Sequence, residues 1–435
     1  MSSVRAAEPL GGFGTISRSP LADSRELAAV SGALYPVLTL LVRLPQTMVP
    51  LGVLTTVALI SGSPARGTYC AAAVTLGSAL CGLAMGAAAT WRRRQLGLVV
   101  LTLVNPLVVW WLVRRLPGLA ADAGADPAQL VLPCLLAGLV LPQMGVACRL
   151  RWWSLLARDS REDLFDTALR HESVMDSLGT VLAAAATGLV AVTLGPVAVL
   201  VLAATLTLVG TSVFLLHCSA RLPRGPIGVR APEAAAPTRA ARHRRCRARR
   251  LRLLPVLGMA ALGCLVGSTL GAVVVFATAV DAVISVSWLY AVSGLTSALA
   301  AVAASARSEE LRLWNRWVAA AAGAVLASML LTIPDDSVGM VVVLALAGLT
   351  TGPCLVAVYE IARLVAPISR VTALTTVMTA MMSVGLTGGL ALSGWWGEYG
   401  GYRSAALLPV VSAAALLATA LAFVHRWRRV DPADL

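Results

Sequence analysis

Twelve long apolar runs, at about 36–61, 68–91, 95–113, 129–149, 172–195, 196–217, 253–280, 282–305, 314–333, 337–362, 370–396 and 402–424, decide what this chain can fold into. A helix that crosses a bilayer needs about 20 mostly apolar residues. Inside lipid only helices and closed barrels satisfy the backbone, and barrel strands alternate over about ten residues instead of staying apolar throughout. The expected fold class is all-α: a polytopic membrane protein with 12 transmembrane helices. Charged residues are 13% of the 435 positions, about half the share of an ordinary soluble domain.

The basic residues are all arginine, because the chain contains no lysine. A phosphate-binding loop of the GxxxxGK[ST] type therefore cannot exist here, nor can a pyridoxal Schiff base. The 8 cysteines form no CxxC pair and lie mostly in apolar runs, so neither a zinc site nor a disulfide framework is indicated. His171, His217, His243 and His425 show no HExxH spacing, so neither a metal nor a catalytic residue is expected, no cofactor is implied, and the chain does not read as an enzyme.

Short cytoplasmic loops collect positive charge. With the N-terminus inside, 30 of the 35 arginines fall on the cytoplasmic side, four outside and Arg43 within the first run. This places both termini in the cytoplasm and divides the chain into a tail at 1–35, a first bundle at 36–217, a basic linker at 218–252, a second bundle at 253–424 and a tail at 425–435. All tryptophans except Trp288 lie near expected helix ends, at the headgroup level that indoles favour. The linker holds eleven arginines against Glu233 and no interleaved aromatic. It reads as a charged connection obeying the orientation rule, and no nucleic-acid partner is expected.

The two bundles carry weak internal matches. Pro142 is followed seven residues on by Arg149, and Pro353 by Glu360, with Gly138 and Gly348 just before them. Thr167-Ala168-Leu169 leads into run 5, and Thr372-Ala373-Leu374 opens run 11. A 6 + 6 arrangement with a central basic loop and both ends inside resembles the major facilitator superfamily of secondary transporters over roughly residues 30–425. The loop between runs 2 and 3 keeps the arginines Arg92, Arg93 and Arg94 of that family's Gly-x-x-x-Asp-Arg-x-Gly-Arg-Arg pattern after Gly82 and Gly86, without its acid. Gly188, Ala191, Gly195 and Pro196 resemble part of the glycine series of its exporters, with Gly195-Pro196 also a plain helix break. The resemblance implies two pseudo-symmetric six-helix bundles and gating at the Arg92–Arg94 loop.

A charge inside a span costs at least about 2.5–3.5 kcal/mol and needs a role or a partner. Arg43 shares a helical face with Thr39, Gln46, Thr47 and Pro50, which should line a cavity. Glu172 and Asp176, one turn apart at the start of run 5, are its expected partners. Arg149 and Glu360, at equivalent ends of runs 4 and 10, are expected to form a latch between the bundles, with Arg151 and Arg363 beside it. Met144, Thr269, Phe276, Thr278, Tyr290, Tyr359, Met378, Met381 and Met382 complete the expected lining, whose methionines favour a hydrophobic or amphipathic solute.

The functional expectation is a proton-coupled secondary exporter in the plasma membrane, acting as a monomer by alternating access on a small molecule, its surroundings the lipid bilayer. The alternative is a protein of the same fold that transports nothing and serves as a sensor, lipid scramblase or assembly partner.

Overall fold

The computed structural model describes residue 32 and residues 34–87, 91–122, 127–158, 164–216, 239–306, 313–365 and 368–429. Among the described residues the regular structure is helical. The first half comprises α1 (Tyr35–Leu41), α2 (Leu44–Ser61), α3 (Pro64–Ala87), α4 (Trp91–Ala121), α5 (Pro127–Leu139), α6 (Met144–Arg158), α7 (Phe165–Thr193) and α8 (Pro196–Leu216). The second comprises α9 (Arg239–Ala279), a 3₁₀ turn at Val283–Ser285, α10 (Val286–Ala306), α11 (Leu313–Leu330), α12 (Ser337–Val365), α13 (Ile368–Ala405) and α14 (Leu407–Trp427). Ten stretches among the described residues are long and apolar enough to cross a membrane; α11 and the interrupted pair α5 and α6 complete the twelve crossings. The chain is a multi-pass membrane protein.

Four boundaries differ from the sequence expectation. Runs 1 and 4 are each broken, into α1 with α2 and α5 with α6, because Pro45 and Pro142 lack the N–H that a continuous helix needs. The linker expected at 218–252 gives way at Arg239, where α9 begins and continues for 41 residues, since arginine and alanine are strong helix formers. Residues 217–238 lie outside the described residues. Arg92, Arg93 and Arg94 open α4 instead of lying in a loop, and their side chains are outside the described residues. At Gly195 the backbone turns at φ 94°, left-handed territory open to glycine, and Pro196 starts α8: the expected helix break is there.

Small residues let the helices approach to backbone contact, as membrane helices do where apolar burial gives no drive between them. A Cβ on Gly138 of α5 would sit 2.0 Å from the Val74 carbonyl oxygen of α3, and one on Gly348 of α12 would sit 2.2 Å from that of Ser293 in α10. The weak sequence match between the halves thus marks one recurring contact, run 4 on run 2 and run 10 on run 8. In the second half α9 and α13 interlock more tightly. Gly263 and Gly267 press on Met382 and Leu386, while Gly385 and Gly389 press back on Ala260 and Cys264.

The apolar cores define the large-scale shape. One cluster joins Leu51, Leu54 and Ala184 of the first half to Val273, Phe276 and Leu289 of the second, all toward the end remote from the linker. There α3 lies along α13 and α7 along α10, with a hydroxyl pair, Thr75 and Thr387, at 2.8 Å. Gly188 seats the indole of Trp288, which a Cβ would meet at 2.7 Å, giving a place to the tryptophan the sequence pattern left unassigned. At the linker end the cores separate: Tyr35, Met144, Trp152 and Phe214 in the first half, Met259, Trp317, Ile361 and Phe423 in the second.

Gly267→Ala should force α9 from α13, because its Cβ would stand 2.2 Å from the Leu386 carbonyl oxygen, and overpacking of this kind costs about 1–3 kcal/mol. Gly388→Ala on the same α13 has nothing within 4 Å and should leave the protein's melting in detergent unchanged.

Candidate functional site

The site begins with a missing N–H. Pro45 cannot donate to the Leu41 carbonyl, and the chain tightens two residues earlier, Arg43 N–H bonding the Leu40 carbonyl at 3.1 Å rather than continuing the α pattern to Thr39. The Thr39 carbonyl is taken instead by the Arg43 side chain, whose Nη1 donates to it at 2.8 Å. Arg43 therefore stands at the junction of α1 and α2 with its guanidinium fixed beside its own backbone.

Its other two nitrogens meet the two acids expected for it. Nε donates to Asp176 Oδ1 at 2.6 Å, and Nη2 is paired with Glu172 Oε2. Charge-assisted bonds of this sort are the strong ones, and they are what makes a 3% exposed arginine tolerable here. The helices can approach because α7 presents Gly179, where a Cβ would sit 3.2 Å from that of Arg43. The two carboxylates differ in setting. Glu172 is 1% exposed and also accepts from Trp152 Nε1 at 2.8 Å, whereas the Asp176 side chain is 39% exposed.

Behind this cluster the linker end of the first half is packed with rings. Trp152 stands edge-on to Tyr35 at 5.1 Å. Arg151 donates with Nη1 and Nη2 to the Phe214 carbonyl at 3.1 and 3.2 Å and lies 4.0 Å over the Phe214 ring. It is buried in the wall of one half and does not stand at a junction between halves. Burial holds the His171 imidazole below its ordinary range, with Arg43 adding to the effect, so it is neutral at pH 7 and adds no charge.

Arg43 and Asp176 open onto a cavity of about 380 Å³ between the two halves, within the range of small-molecule sites. Gln46, Thr47 and Pro50 line it as expected from their shared face. Gln46 also reaches across to run 4, donating from Nε2 to the Pro142 carbonyl at 3.0 Å; the two broken crossings are thereby tied at their breaks. From the second half Thr269, Tyr290, Tyr359 and Met382 reach the wall, whereas Met378 and Met381 pack into that half's own core. Met144 and Phe276 are likewise buried in cores. An apolar helix looks the same from sequence whether its methionines face a neighbour or a void. The leucines at the remote end, Leu51, Leu270, Leu331, Leu344 and Leu390, belong both to the lining and to the core shared by the halves.

The expected latch between Arg149 and Glu360 falls on side chains outside the described residues on its arginine side, and among the described residues Glu360 pairs within its own half. Its carboxylate is bonded by Arg316 Nη1 of α11 at 3.1 Å, and Arg316 Nη2 is held by the Ala304 carbonyl at 2.7 Å. The reason is local: Arg316 lies on the adjoining crossing of the same half, so the acid finds a cation without a partner bundle. The side chains of Arg149 and Arg363 lie outside the described residues.

The sequence reading passed over the hydroxyls of the second half, among them Ser293, Ser297, Thr351, Thr379 and Ser383 on the cavity wall. Thr379 is bonded to the Tyr359 hydroxyl at 2.9 Å. The available signal was their recurrence at i and i+4, Ser293 with Ser297 and Thr379 with Ser383, which puts each pair on one face of a span.

No family model matches the sequence, and no curated protein does either. Solved structures match in fold. An auto-inhibited POT family peptide transporter is 16% identical with a TM-score of 0.62, over 91% of this chain and 97% of that one. The nucleoside transporter NupG is 14% identical at 0.59, over 90% and 98%. The POT family transporter PepTSo is 12% identical at 0.58, over 91% and 98%. These proteins have the major facilitator fold, and this chain shares it.

Arg43→Met should cost about 3–5 kcal/mol of stability, because it leaves Glu172 buried without its cation. Adding Glu172→Met should restore part of the loss, and thermal unfolding of wild type, both single variants and the double variant measures that coupling. Independent, additive effects would show that the pair does not hold the site.

Proposed function

We propose that the protein is a secondary active transporter that moves a small hydrophobic or amphipathic molecule by alternating access. The observation that carries this reading is the cavity itself: it lies between the halves, both line it, and the arginine–carboxylate cluster forms part of its wall. The fold shared with peptide and nucleoside transporters agrees with it. Closing at one end by a shared core while the halves keep separate cores at the other is the arrangement a rocking carrier needs on one side of its cycle.

In this proposal the termini and linker face the cytoplasm, the membrane is the plasma membrane, and the form described opens inward. The direction is export, driven by a proton. Asp176, the exposed acid of the cluster, takes up the proton and loosens its hold on Arg43, while Glu172 keeps the arginine in place. Protonation and solute binding then bias the same two-state equilibrium, which is all that coupling requires. The protein works as a monomer.

Reconstituted vesicles loaded with a compound panel should show solute flux that an imposed pH gradient accelerates. Thr75→Cys with Thr387→Cys, whose native hydroxyls stand 2.8 Å apart across the halves, should form a disulfide that stops the flux, and a reductant should restore it. Full cross-linking with undiminished flux would refute alternating access; absence of flux for every compound would favour a protein that carries nothing.

A further inference from the structure

We propose that the solute carried in this cavity is recognised as a hydrogen-bond donor: a molecule presenting two or more N–H or O–H groups from an apolar frame, held by hydroxyl oxygens of the second half. The inference rests on the transport reading above and specifies its cargo. It follows from where the hydroxyl protons on the wall go. A serine or threonine hydroxyl has one proton to give and two lone pairs to receive with. Thr350 gives its proton to the Ala347 carbonyl at 2.8 Å, Thr351 to that of Gly348 at 3.1 Å, Thr379 to that of Thr375 at 2.9 Å and Ser383 to that of Thr379 at 3.3 Å. All four line the cavity. Thr351 also leans to Ser297 Oγ at 3.4 Å, across from α12 to α10. With the Thr379 proton committed to its own helix, the Tyr359 hydroxyl is the donor in the 2.9 Å bond between them.

The first half follows the same rule. Thr75, Ser78 and Thr180 on its wall bond the carbonyls of Ala72, Thr75 and Asp176 at 2.9, 2.9 and 3.0 Å. The amide nitrogens of Gln46 and Gln143 turn to the carbonyls of Pro142 and Leu141. Across the described wall the hydroxyl protons are spent on backbone, and what the hydroxyls keep is lone pairs. An acceptor on the solute can take one of those protons only in exchange for a bond that the helix already makes, with no net gain of bonds. A donor on the solute adds a bond and breaks none, and that difference is repeated at every hydroxyl it reaches. Ser297, Thr351, Thr379 and Ser383 come from three crossings of one half, and Val266, Leu355 and Leu386 of the same half supply apolar lining. A frame with donors at its edge matches this wall, whereas an ester, ketone or ether, which only accepts, gains nothing from it.

A matched ligand series tests this. Benzimidazolone, oxindole and 2-indanone share one ring frame and one carbonyl and carry two, one and no N–H groups. Each is bound to the purified full-length protein by equilibrium dialysis against protein-free micelles of the same detergent. Stripping water from an N–H is costly unless a partner replaces it, so a wall that is merely apolar would bind 2-indanone best. The expected order is the reverse, with benzimidazolone about tenfold tighter than 2-indanone, the scale of two added hydrogen bonds, and oxindole between them. The quadruple variant Ser297→Ala, Thr351→Val, Thr379→Val, Ser383→Ala should bring benzimidazolone to the level of 2-indanone and leave 2-indanone binding as it was. A flat or inverted order in wild type, or the full preference persisting in the variant, would overturn the proposal. The wild-type series decides even where the variant fails to fold. Binding requires no turnover, so the two readings separate. Donor-dependent binding without vesicle flux would uphold the donor site and remove the transport reading, whereas flux of another solute alongside a flat binding series would do the opposite.

Discussion

A guanidinium held in a bilayer between two carboxylates is the interaction on which the arrangement of the first half depends. Neither sign of charge is stable there alone, so the position of Arg43 dictates that α7 must bring Glu172 and Asp176 to it. The approach requires Gly179. The interruption that frees the Thr39 carbonyl requires Pro45, and the arginine then repairs the defect that the proline makes. Charge, helix break and close packing are one solution to one problem. The same proline that would weaken an ordinary span here fixes where the cation points.

Much of this was legible in the sequence because it rests on strong local signals. A run of apolar residues too long for a strand, a lone arginine within it and two acids one turn apart leave few arrangements open, and Arg43, Glu172 and Asp176 meet as their spacing implied. Gly195 followed by Pro196 breaks the chain for reasons the two residues carry themselves. The weak match around Gly138 and Gly348 also has a physical basis, since both allow a carbonyl of the neighbouring crossing to come within reach of where a side chain would be.

What the sequence could not give was choice among neighbours. Glu360 had several arginines within plausible reach, and only the packing of α11 against α12 selects Arg316. The methionines of α13 were equally compatible with a void and with a core, and most went to the core. The hydroxyls that face the cavity, Thr351 and Ser383 among them, bond their own helix just as Thr207 does away from it, and only their recurrence at i and i+4 sets them apart. Each of these is a question of which face of an almost uniformly apolar helix turns inward, and uniform apolarity removes the periodicity that would answer it.

The uneven distribution of the apolar cores has an energetic corollary. Each half owns a complete core near the linker, so parting there exposes nothing that holds a bundle together. At the remote end the leucines and valines are common property of both halves, and a swing that let water in would wet them, at about 25 cal/mol for every Å² uncovered. In the proposed cycle that exposure sets the energy which a bound solute or proton has to offset, so the opposite form would be populated only to the extent that something held inside prefers it.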